Sequence, residues 1–296
     1  MASDLPRLKP DPVPEIHSVP EYEAGGALAD IYTRTKRGLG VPWMGVVAMA
    51  FAHYPKFYDS LWTALEPVVG SEAFASACQS LRDTAEAEAA KLGPPGILPR
   101  LERIGYGRRE LDEIRACNEV FSDGNMPYVL MATVARLLLK GHDWPGQGPL
   151  EPRQTPVSAG ERPALMEAHH ADASTAAVYA DIREALGLPF VNTDYRAFAR
   201  WPSYFAPAWT DLKGAVAGPG YADAVLTVHR AATNLALALP NPTDLTTGVL
   251  QAAAQEDADL DEVLSVVLLF QWLLPGLAVN VAFFRAQLAE QVSRVS

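Results

Sequence analysis

Residues 31–69 read IYTRTKRGLGVPWMGVVAMAFAHYPKFYDSLWTALEPVV, and residues 178–216, 147 positions later, read VYADIREALGLPFVNTDYRAFARWPSYFAPAWTDLKGAV. The two segments align without a gap. Turn-forming and bulky aromatic residues recur at the same offset, among them Tyr32 and Tyr179, Gly40 and Gly187, Pro42 and Pro189, and Trp62 and Trp209. Similarity at a fixed period indicates a structural repeat. We therefore predict that the chain is a fused tandem duplication.

The repeat extends beyond these segments, since LDEI at residues 111–114 matches LDEV at residues 260–263 after a shift of two. Residues 145–163 are rich in Pro and Gly, which is typical of a linker. We predict the following organisation: an N-terminal extension over residues 1–17, a first helical repeat over 18–144, this linker over 145–163, and a second helical repeat over 164–296.

Hydrophobic periodicity within each copy is helical. Residues 74–92 and 221–239 are rich in Ala and place apolar side chains every three or four positions. Gly40 and Gly187, each followed two residues later by Pro, have the pattern of a helix end. Because alternating β-branched patterns are nearly absent, we predict an all-α fold.

Two further patterns concern helix starts and the longest apolar stretch. Ser18 and Glu21 have the spacing of a capping box, and Asp259 and Glu262 repeat it more weakly. Residues 263–284 carry no formal charge and are long enough to span a bilayer. They include polar residues and lack a basic flank on both sides, so we predict a buried core helix broken at Pro275, with no membrane anchor.

Composition excludes several classes of function. The net charge is −11, and no basic patch marks a nucleic-acid surface. The two cysteines, Cys78 and Cys117, form no CxxC motif, and the histidines lack metal-ligand spacing. His53 and His229 align with Arg200 and Arg82, which predicts exposed positions for both. No secretory signal is visible, so we expect a cytoplasmic protein.

Asp194 is the main catalytic candidate, because its counterpart in the first copy is Val47. We therefore expect this position to be buried and to favour an apolar residue, and a carboxylate placed there costs free energy unless something compensates. The two preceding positions also become polar in the second copy only, as Asn192 and Thr193 replace Gly45 and Val46. The alternative explanation is ordinary helix capping by this Asn-Thr-Asp sequence.

Two other candidates rest on weaker signals. Asn118 aligns with Val267 at the 149-residue offset, which again pairs an amide with an aliphatic side chain. Equally, Asn118 could be a solvent-facing neighbour of Glu119. Trp43 aligns with Phe190 and is expected to line a pocket or the core.

The LPFVNTDYRAFARWPSYF segment, the duplicated Leu-Gly-x-Pro framework and the chain length resemble the group I 2-haloacid dehalogenases. The resemblance covers nearly the whole chain. It implies an all-α pseudo-dimer of two repeats with the active site between them, no metal ion and no cofactor. It also implies a 2-haloacid anion as the small-molecule partner, and a homodimer.

Carried onto this sequence, the resemblance makes Asp194 the base that activates a water for direct attack on C2, with inversion of configuration. Asn118, or a residue next to it, would position that water. We expect the substrate carboxylate against backbone N–H groups at residues 192–195. The expected substrate-binding residues are Asn192, Thr193, Tyr195, Trp43 and Val46.

The position of Asn192 is small in family members that accept both enantiomers and Asn in D-specific members, so the resemblance implies a D preference. A non-stereospecific D,L-dehalogenase is the alternative within the family. A non-catalytic helical scaffold that binds a partner in the groove between the repeats is the alternative from another class. A redox carrier of the alkylhydroperoxidase D type would need the missing CxxC motif.

Overall fold

The computed structural model describes residues 5–154 and 160–290, which form twelve α-helices and no β-strand. The prediction of an all-α fold is confirmed. The first six helices are α1 (Gly26–Leu39), α2 (Val46–Phe51), α3 (Pro55–Val69), α4 (Glu72–Lys91), α5 (Leu98–Arg103) and α6 (Arg108–Leu139). The second six are α7 (Ala173–Leu186), α8 (Thr193–Phe198), α9 (Pro202–Ala217), α10 (Tyr221–Ala238), α11 (Thr247–Asp257) and α12 (Leu260–Gln287).

The order of helix lengths in the first six recurs in the second six. Helices α7 and α8 begin and end 147 residues after α1 and α2. The longest helices, α6 and α12, both contain an interior proline, and Pro127 and Pro275 lie 148 residues apart. The tandem duplication stays a prediction, and this helix order is what the prediction requires.

The core is shared between the two halves. Helix α6 packs most extensively against α12, α4 packs against α10 and α12, and α3 packs against α11. One continuous hydrophobic cluster includes side chains from both halves. The described part of the predicted linker, residues 145–154 and 160–163, contains no helix, and residues 155–159 of it lie outside the described residues.

Helix α12 is a buried core helix, as predicted, but it is not broken at Pro275. Among the described residues it is the one helix long and apolar enough to cross a membrane, and 89% of its most apolar 18-residue window is buried. The helix continues through Pro275 to Gln287. An interior proline costs about 3 kcal/mol or more, and packing of α12 against α4, α6 and α10 offsets this cost.

Glycine ends two helices where the sequence predicts. Gly40 (φ 67°) follows α1 and Gly187 (φ 64°) follows α7, and both adopt the left-handed conformation. The predicted capping box at Ser18 and Glu21 is wrong, since α1 begins at Gly26. Glu21 instead accepts a hydrogen bond from the backbone N–H of Met44 at 3.0 Å. Asp259 does cap α12, because its carboxylate accepts from the backbone N–H of Asp261.

Residues 7–9 of the N-terminal extension contact the second half. Arg7 Nε donates to the carbonyl of Trp272 at 3.0 Å, and its guanidinium lies over the Trp272 ring. Lys9 also lies over this ring and donates to the carbonyl of Gly187 at 2.7 Å. Residues 5–9 therefore cover one face of the second half.

The expectation that His229 is exposed is wrong. Its ring is fully buried, with Nε2 2.7 Å from the carbonyl oxygen of Leu5 and Nδ1 2.8 Å from Nε2 of Gln271. The aligned Arg82 pairs with surface carboxylates of the first half. Leu5 of the N-terminal extension covers the His229 ring, whereas Arg82 pairs with surface side chains. Burial lowers the pKa of His229.

Candidate active site

Asp194 is the second residue of α8, and its side chain is buried. Asn192 precedes the helix in extended conformation, so the chain turns into α8 and directs Asp194 toward α6 of the first half. Asp194 and its counterpart Val47 are each 2% exposed. The carboxylate therefore occupies a position that the fold buries in both halves.

Asn125, on α6, is the direct partner of this carboxylate. Its Nδ2 donates to Oδ1 of Asp194 at 2.6 Å, and the Asn125 side chain is itself buried. The contact joins the two halves, since α6 belongs to the first and α8 to the second. A hydrogen bond to a charged group contributes about 1.5–3 kcal/mol.

Burial raises the pKa of Asp194 to about 6, while the hydrogen bond from Asn125 and the charge of Arg196 act to lower it. A carboxyl with this pKa is mostly ionised at pH 7, and it is a stronger base than a solvated aspartate. It combines the ionised state with basicity matched to neutral pH, which is what a general base needs.

Asn118 lies on the same face of α6, seven residues before Asn125, which is about two helical turns. The side chain is 1% exposed, so the solvent-facing alternative is wrong. Its Nδ2 donates to the carbonyl of Val281 at 3.3 Å. Within residues 5–154 and 160–290 its Oδ1 has no hydrogen-bond partner. A buried amide oxygen without a partner is costly, and a bound water or substrate group would satisfy it.

The neighbouring thiol places this part of α6 near the carboxylate. Burial, with a smaller contribution from the Asp194 charge, raises the pKa of Cys117 to about 12. The Cys117 thiol is therefore protonated at neutral pH, and the charge of the Asp194 carboxylate contributes to its raised pKa. The protein atom that hydrogen-bonds Asp194 Oδ1 is nevertheless on Asn125 and not on Asn118.

Capping does not explain the polar cluster at residues 192–194. Asn192 has the N-cap position, but its side chain makes no capping hydrogen bond, and its Oδ1 has no partner among the described residues. Thr193 Oγ1 accepts a long contact from Arg196, at 3.4 Å. The Asp194 carboxylate accepts a hydrogen bond from Asn125 of the other half, and its own backbone N–H also acts to lower its pKa.

The predicted substrate-binding residues fall into two cavities. Trp43, Val46 and Thr193 line a groove of about 1250 Å³ between α2 and α8. Asn192 and Tyr195 line a smaller cavity of about 180 Å³ inside the second half. The structure thus brings three of the five residues together on the side where the two halves meet.

Trp43 is held against α6. Its ring packs edge-on against Phe121 at 4.9 Å between centroids, and the backbone of Gly124 leaves room for it. Tyr128 donates its hydroxyl hydrogen to the Trp43 carbonyl at 2.9 Å. Since Trp43 is 5% exposed, it forms the floor of the groove and does not project into solvent.

Tyr195 is a core residue as well as a cavity residue. Its ring stacks on Phe205, and its hydroxyl accepts a hydrogen bond from Nδ2 of Asn280 at 2.9 Å. These contacts fix the orientation of the residue that follows Asp194. We interpret Tyr195 as a side chain that positions α8.

Comparison with known proteins shows relatives that match nearly end to end. No protein-family model matches the chain. An (R)-2-haloacid dehalogenase of Rhizobium sp. (strain NHG3) is 46% identical over 246 residues, which cover 82% of this chain and 95% of that relative. An (R)-2-haloacid dehalogenase of Pseudomonas putida is 36% identical over 286 residues, which cover 94% and 95%. This chain belongs to the (R)-2-haloacid dehalogenase family.

Solved structures of family members have the same fold. A complex of D-2-haloacid dehalogenase with L-LA and one of a D-2-haloacid dehalogenase mutant with D-2-CPA each superimpose with a TM-score of 0.87 at 34% identity. Each alignment covers 93% of this chain and 97% of the other. The resemblance inferred from the LPFVNTDYRAFARWPSYF segment is thus confirmed at the level of the family.

Sequence reasoning missed Asn125 as a site residue of this dehalogenase. A signal for it exists, because aligning Pro127 with Pro275 pairs Asn125 with Leu273, again an amide against an aliphatic residue. The same alignment pairs Asn118 with Val266, which is buried like Val267. Asn118 is therefore paired with a buried valine in either alignment, at an offset of 148 or of 149 residues.

Proposed function

We propose that this protein hydrolyses (R)-2-haloalkanoic acids to (S)-2-hydroxy acids, with Asp194 as the base. Membership of a family whose named relatives are (R)-2-haloacid dehalogenases supports the reaction class. The observation that carries the assignment of Asp194 is a fully buried carboxylate with a pKa of about 6, held across the two halves by Asn125. A scaffold protein has no need for a side chain this costly to bury.

In the proposed reaction, a water lies between the Asp194 carboxylate and the amide oxygen of Asn118. The water oxygen attacks C2 of the substrate from the side opposite the halogen. The carbon–halogen bond breaks as the new carbon–oxygen bond forms, and the halide leaves with the bonding electron pair. The proton of the water passes to Asp194 and then to solvent, while C2 inverts.

The hydrogen-bond inventory supports direct attack by water. Oδ1 of Asp194 accepts from Asn125, and a carboxylate has enough acceptor positions to bind a water as well. The buried Oδ1 of Asn118 can accept the second hydrogen of that water. With both hydrogens held, the water directs an oxygen lone pair toward C2. The alternative, attack by the carboxylate itself, would leave an ester on Asp194.

A single-turnover experiment in H₂¹⁸O separates the two routes. Enzyme in excess over (R)-2-chloropropionate should give lactate that carries ¹⁸O in the first turnover. Asp194→Asn should be folded and release no halide. Unlabelled lactate, with ¹⁸O in Asp194 after the turnover, would show an ester intermediate and overturn direct attack.

The groove between α2 and α8 is the proposed side from which the haloacid reaches Asp194. Trp43, Val46 and Thr193 line it, and we propose that they contact the substrate and its halogen. The expected contact of the substrate carboxylate with backbone N–H groups at residues 192–195 stays a prediction. Helix α8 has only six residues, so its dipole contributes little there.

Enantiomer preference is proposed to depend on Asn192. This side chain is 5% exposed, lies two residues before Asp194 and lines the smaller cavity, and we propose that it fills space next to the reacting carbon. We expect Asn192→Ala to raise kcat/KM for (S)-2-chloropropionate at least tenfold, measured by halide release. Equal rates for both enantiomers with the unchanged protein would instead favour the non-stereospecific dehalogenase.

We further propose a cytoplasmic homodimer that needs no metal ion or cofactor. The homodimer rests on the family resemblance alone. Light scattering during gel filtration tests it, since a dimer has twice the 31.9 kDa mass of the chain. A mass of one chain at micromolar concentration would contradict it.

A further inference from the structure

The N-terminal strap, residues 5–9, is bonded to buried polar groups that the proposed reaction does not use. The carbonyl oxygen of Leu5 lies 2.7 Å from Nε2 of His229 on α10, and the carbonyl of Pro6 accepts a hydrogen bond from Arg136 on α6. His229 is 0% and Arg136 2% exposed. The Leu5 side chain is itself buried, so the strap enters the core at the place where it is bonded.

The hydrogen bonds around the His229 ring require one neutral tautomer. A carbonyl oxygen can only accept, so Nε2 carries the hydrogen that it shares with Leu5. A guanidinium can only donate, so the bond from Arg136 to Oε1 of Gln271 leaves the amide NH₂ of Gln271 facing His229. Nδ1 of His229, 2.8 Å from Nε2 of Gln271, therefore accepts and carries no hydrogen. The ring is neutral in the folded protein.

A second proton on this ring has no acceptor. A hydrogen on Nδ1 would point at the NH₂ group of Gln271. If Gln271 rotated to offer its oxygen to His229, its NH₂ group would face the guanidinium of Arg136 instead. In either orientation one buried donor lies against another donor, which is costly in a protein core. Protonation of His229 is therefore incompatible with the closed arrangement.

The charges around the ring also oppose its protonation. Helices α4, α6, α9 and α12 pack against α10. Burial is the main reason that the pKa of His229 is lowered, and the charges of Arg136 on α6, Arg7 in the strap and Arg230 on α10 lower it further, while the bond with Leu5 acts the other way. Among the described residues no carboxylate forms a hydrogen bond or ion pair with His229 or Arg136, and α4 and α9 supply no hydrogen-bond partner.

We propose that His229 is a pH-sensitive switch for the N-terminal strap, whose neutral ring holds Leu5 in place and whose protonated ring releases residues 5–9. The other contacts of the strap are those of Arg7 and Lys9 with the Trp272 ring and its neighbourhood. Arginine and lysine stay charged throughout mild acid, so these contacts do not provide the switch. The proposal does not depend on the reaction that the protein catalyses.

The direction of the switch follows from linkage. With the strap open, the His229 ring is solvated and has its ordinary pKa of about 6.5, whereas the closed state lowers it. The closed state is therefore fully favoured above about pH 6.5 and loses stability as the pH falls below that value. The loss ends once the pH reaches the pKa of the closed state. Within this window the open population should rise up to about tenfold for each pH unit.

Cleavage of the Arg7–Leu8 bond by thermolysin, a protease that cuts before leucine, tests the switch. Cleavage of a segment that opens and closes rapidly follows its open population. The cleavage rate is divided by that of a free peptide of residues 1–17 in the same buffer, which removes the pH dependence of the protease. From pH 7.5 to pH 5.5 we expect this ratio to rise at least about fivefold in the unchanged protein. In His229→Gln, which can donate to Leu5 but does not titrate, it should change less than about twofold.

Two control variants separate the switch from other effects. His170→Gln removes an exposed histidine on another part of the surface and should keep the full rise. Trp272→Leu removes the ring that Arg7 and Lys9 cover, and it should raise cleavage by the same factor at both pH values.

Spectra of ¹⁵N-histidine in the unchanged protein test the switch without any variant. One of the six histidines should be a neutral ring with its hydrogen on Nε2 and should titrate well below pH 6.5. The proposal would be overturned by the absence of such a ring. It would also be overturned by cleavage of the unchanged protein that does not rise in acid, or by a rise that folded His229→Gln retains.

Discussion

Replacing Asp194 with asparagine should make the protein more stable at neutral pH while abolishing activity. Burial raises the pKa of Asp194 to about 6, against about 3.9 for a solvated aspartate. A rise of about two in pKa corresponds to about 3 kcal/mol, at 1.36 kcal/mol for each tenfold change. The asparagine amide is neutral, and its oxygen can still accept the hydrogen bond from Asn125. The substitution therefore removes the cost of the charge and keeps the contact.

The sign of the pH dependence follows from linkage. In the folded protein Asp194 binds its proton more tightly than in the unfolded chain, so folding is opposed once the group must ionise. This cost is absent below about pH 4, grows as the pH rises, and is complete above about pH 6. The stability difference between Asp194→Asn and the unchanged protein should thus be about 3 kcal/mol at pH 8 and about half that at pH 5.

Thermal unfolding at several pH values measures the difference. For a chain of this size, 3 kcal/mol corresponds to an increase in Tm of roughly 5 °C. Asp181→Asn is a control of opposite sign, because Lys213 and Trp209 bind the Asp181 carboxylate and lower its pKa. The reasoning would be refuted if Asp194→Asn were no more stable than the unchanged protein at pH 8. It would also be refuted if the gain in stability were the same at pH 5 as at pH 8.

Three further predictions follow from the same site. The kcat/KM for (R)-2-chloropropionate should rise with pH through about 6 and then level off, because only ionised Asp194 can take the proton; a flat profile between pH 5 and 8 would contradict this. Asn125→Leu, which copies Leu273, should move that rise upward by about one pH unit or more, since it removes a hydrogen bond to the charged form; an unmoved profile would show that Asn125 does not affect the base. Asn118→Val, which copies Val266, should fold with an unchanged Tm and lower kcat about a hundredfold by misplacing the water; full activity would exclude Asn118 from the site.

Much of the fold could be predicted because it depends on local sequence. Periodicity in residues 74–92 and 221–239 predicts helices that the structure confirms as α4 and α10. Gly40 and Gly187 predict helix ends because a residue with positive φ is easiest for glycine. Pro275 misled the prediction, since the cost of an interior proline is local whereas the packing that offsets it comes from three other helices.

The candidate site was predictable where the two halves differ and hidden where a contact crosses between them. Asp194 could be found because Val47 shows what the fold accepts at that position. Predicting Asn125 would have required the sequence alignment of α6 with α12. The similarity between the two halves is too weak downstream of α4 to supply that alignment. His229 was misplaced for a related reason, because the residue that covers it, Leu5, belongs to a segment without a counterpart in the other half.

The comparison of the two halves also explains how one protein tolerates so costly a site. Val47 and Tyr128 are packed in the first half, whereas the second half buries a charge at Asp194 and leaves a cavity beside Gly276. If the two halves had separate cores, the buried charge and the cavity would both destabilise the second half alone. Because α6 packs along α12 and the hydrophobic cluster is continuous, the packing of the first half stabilises the second. Function in one half therefore depends on regular packing in the other, as expected where active sites depart from the rules of stable folding.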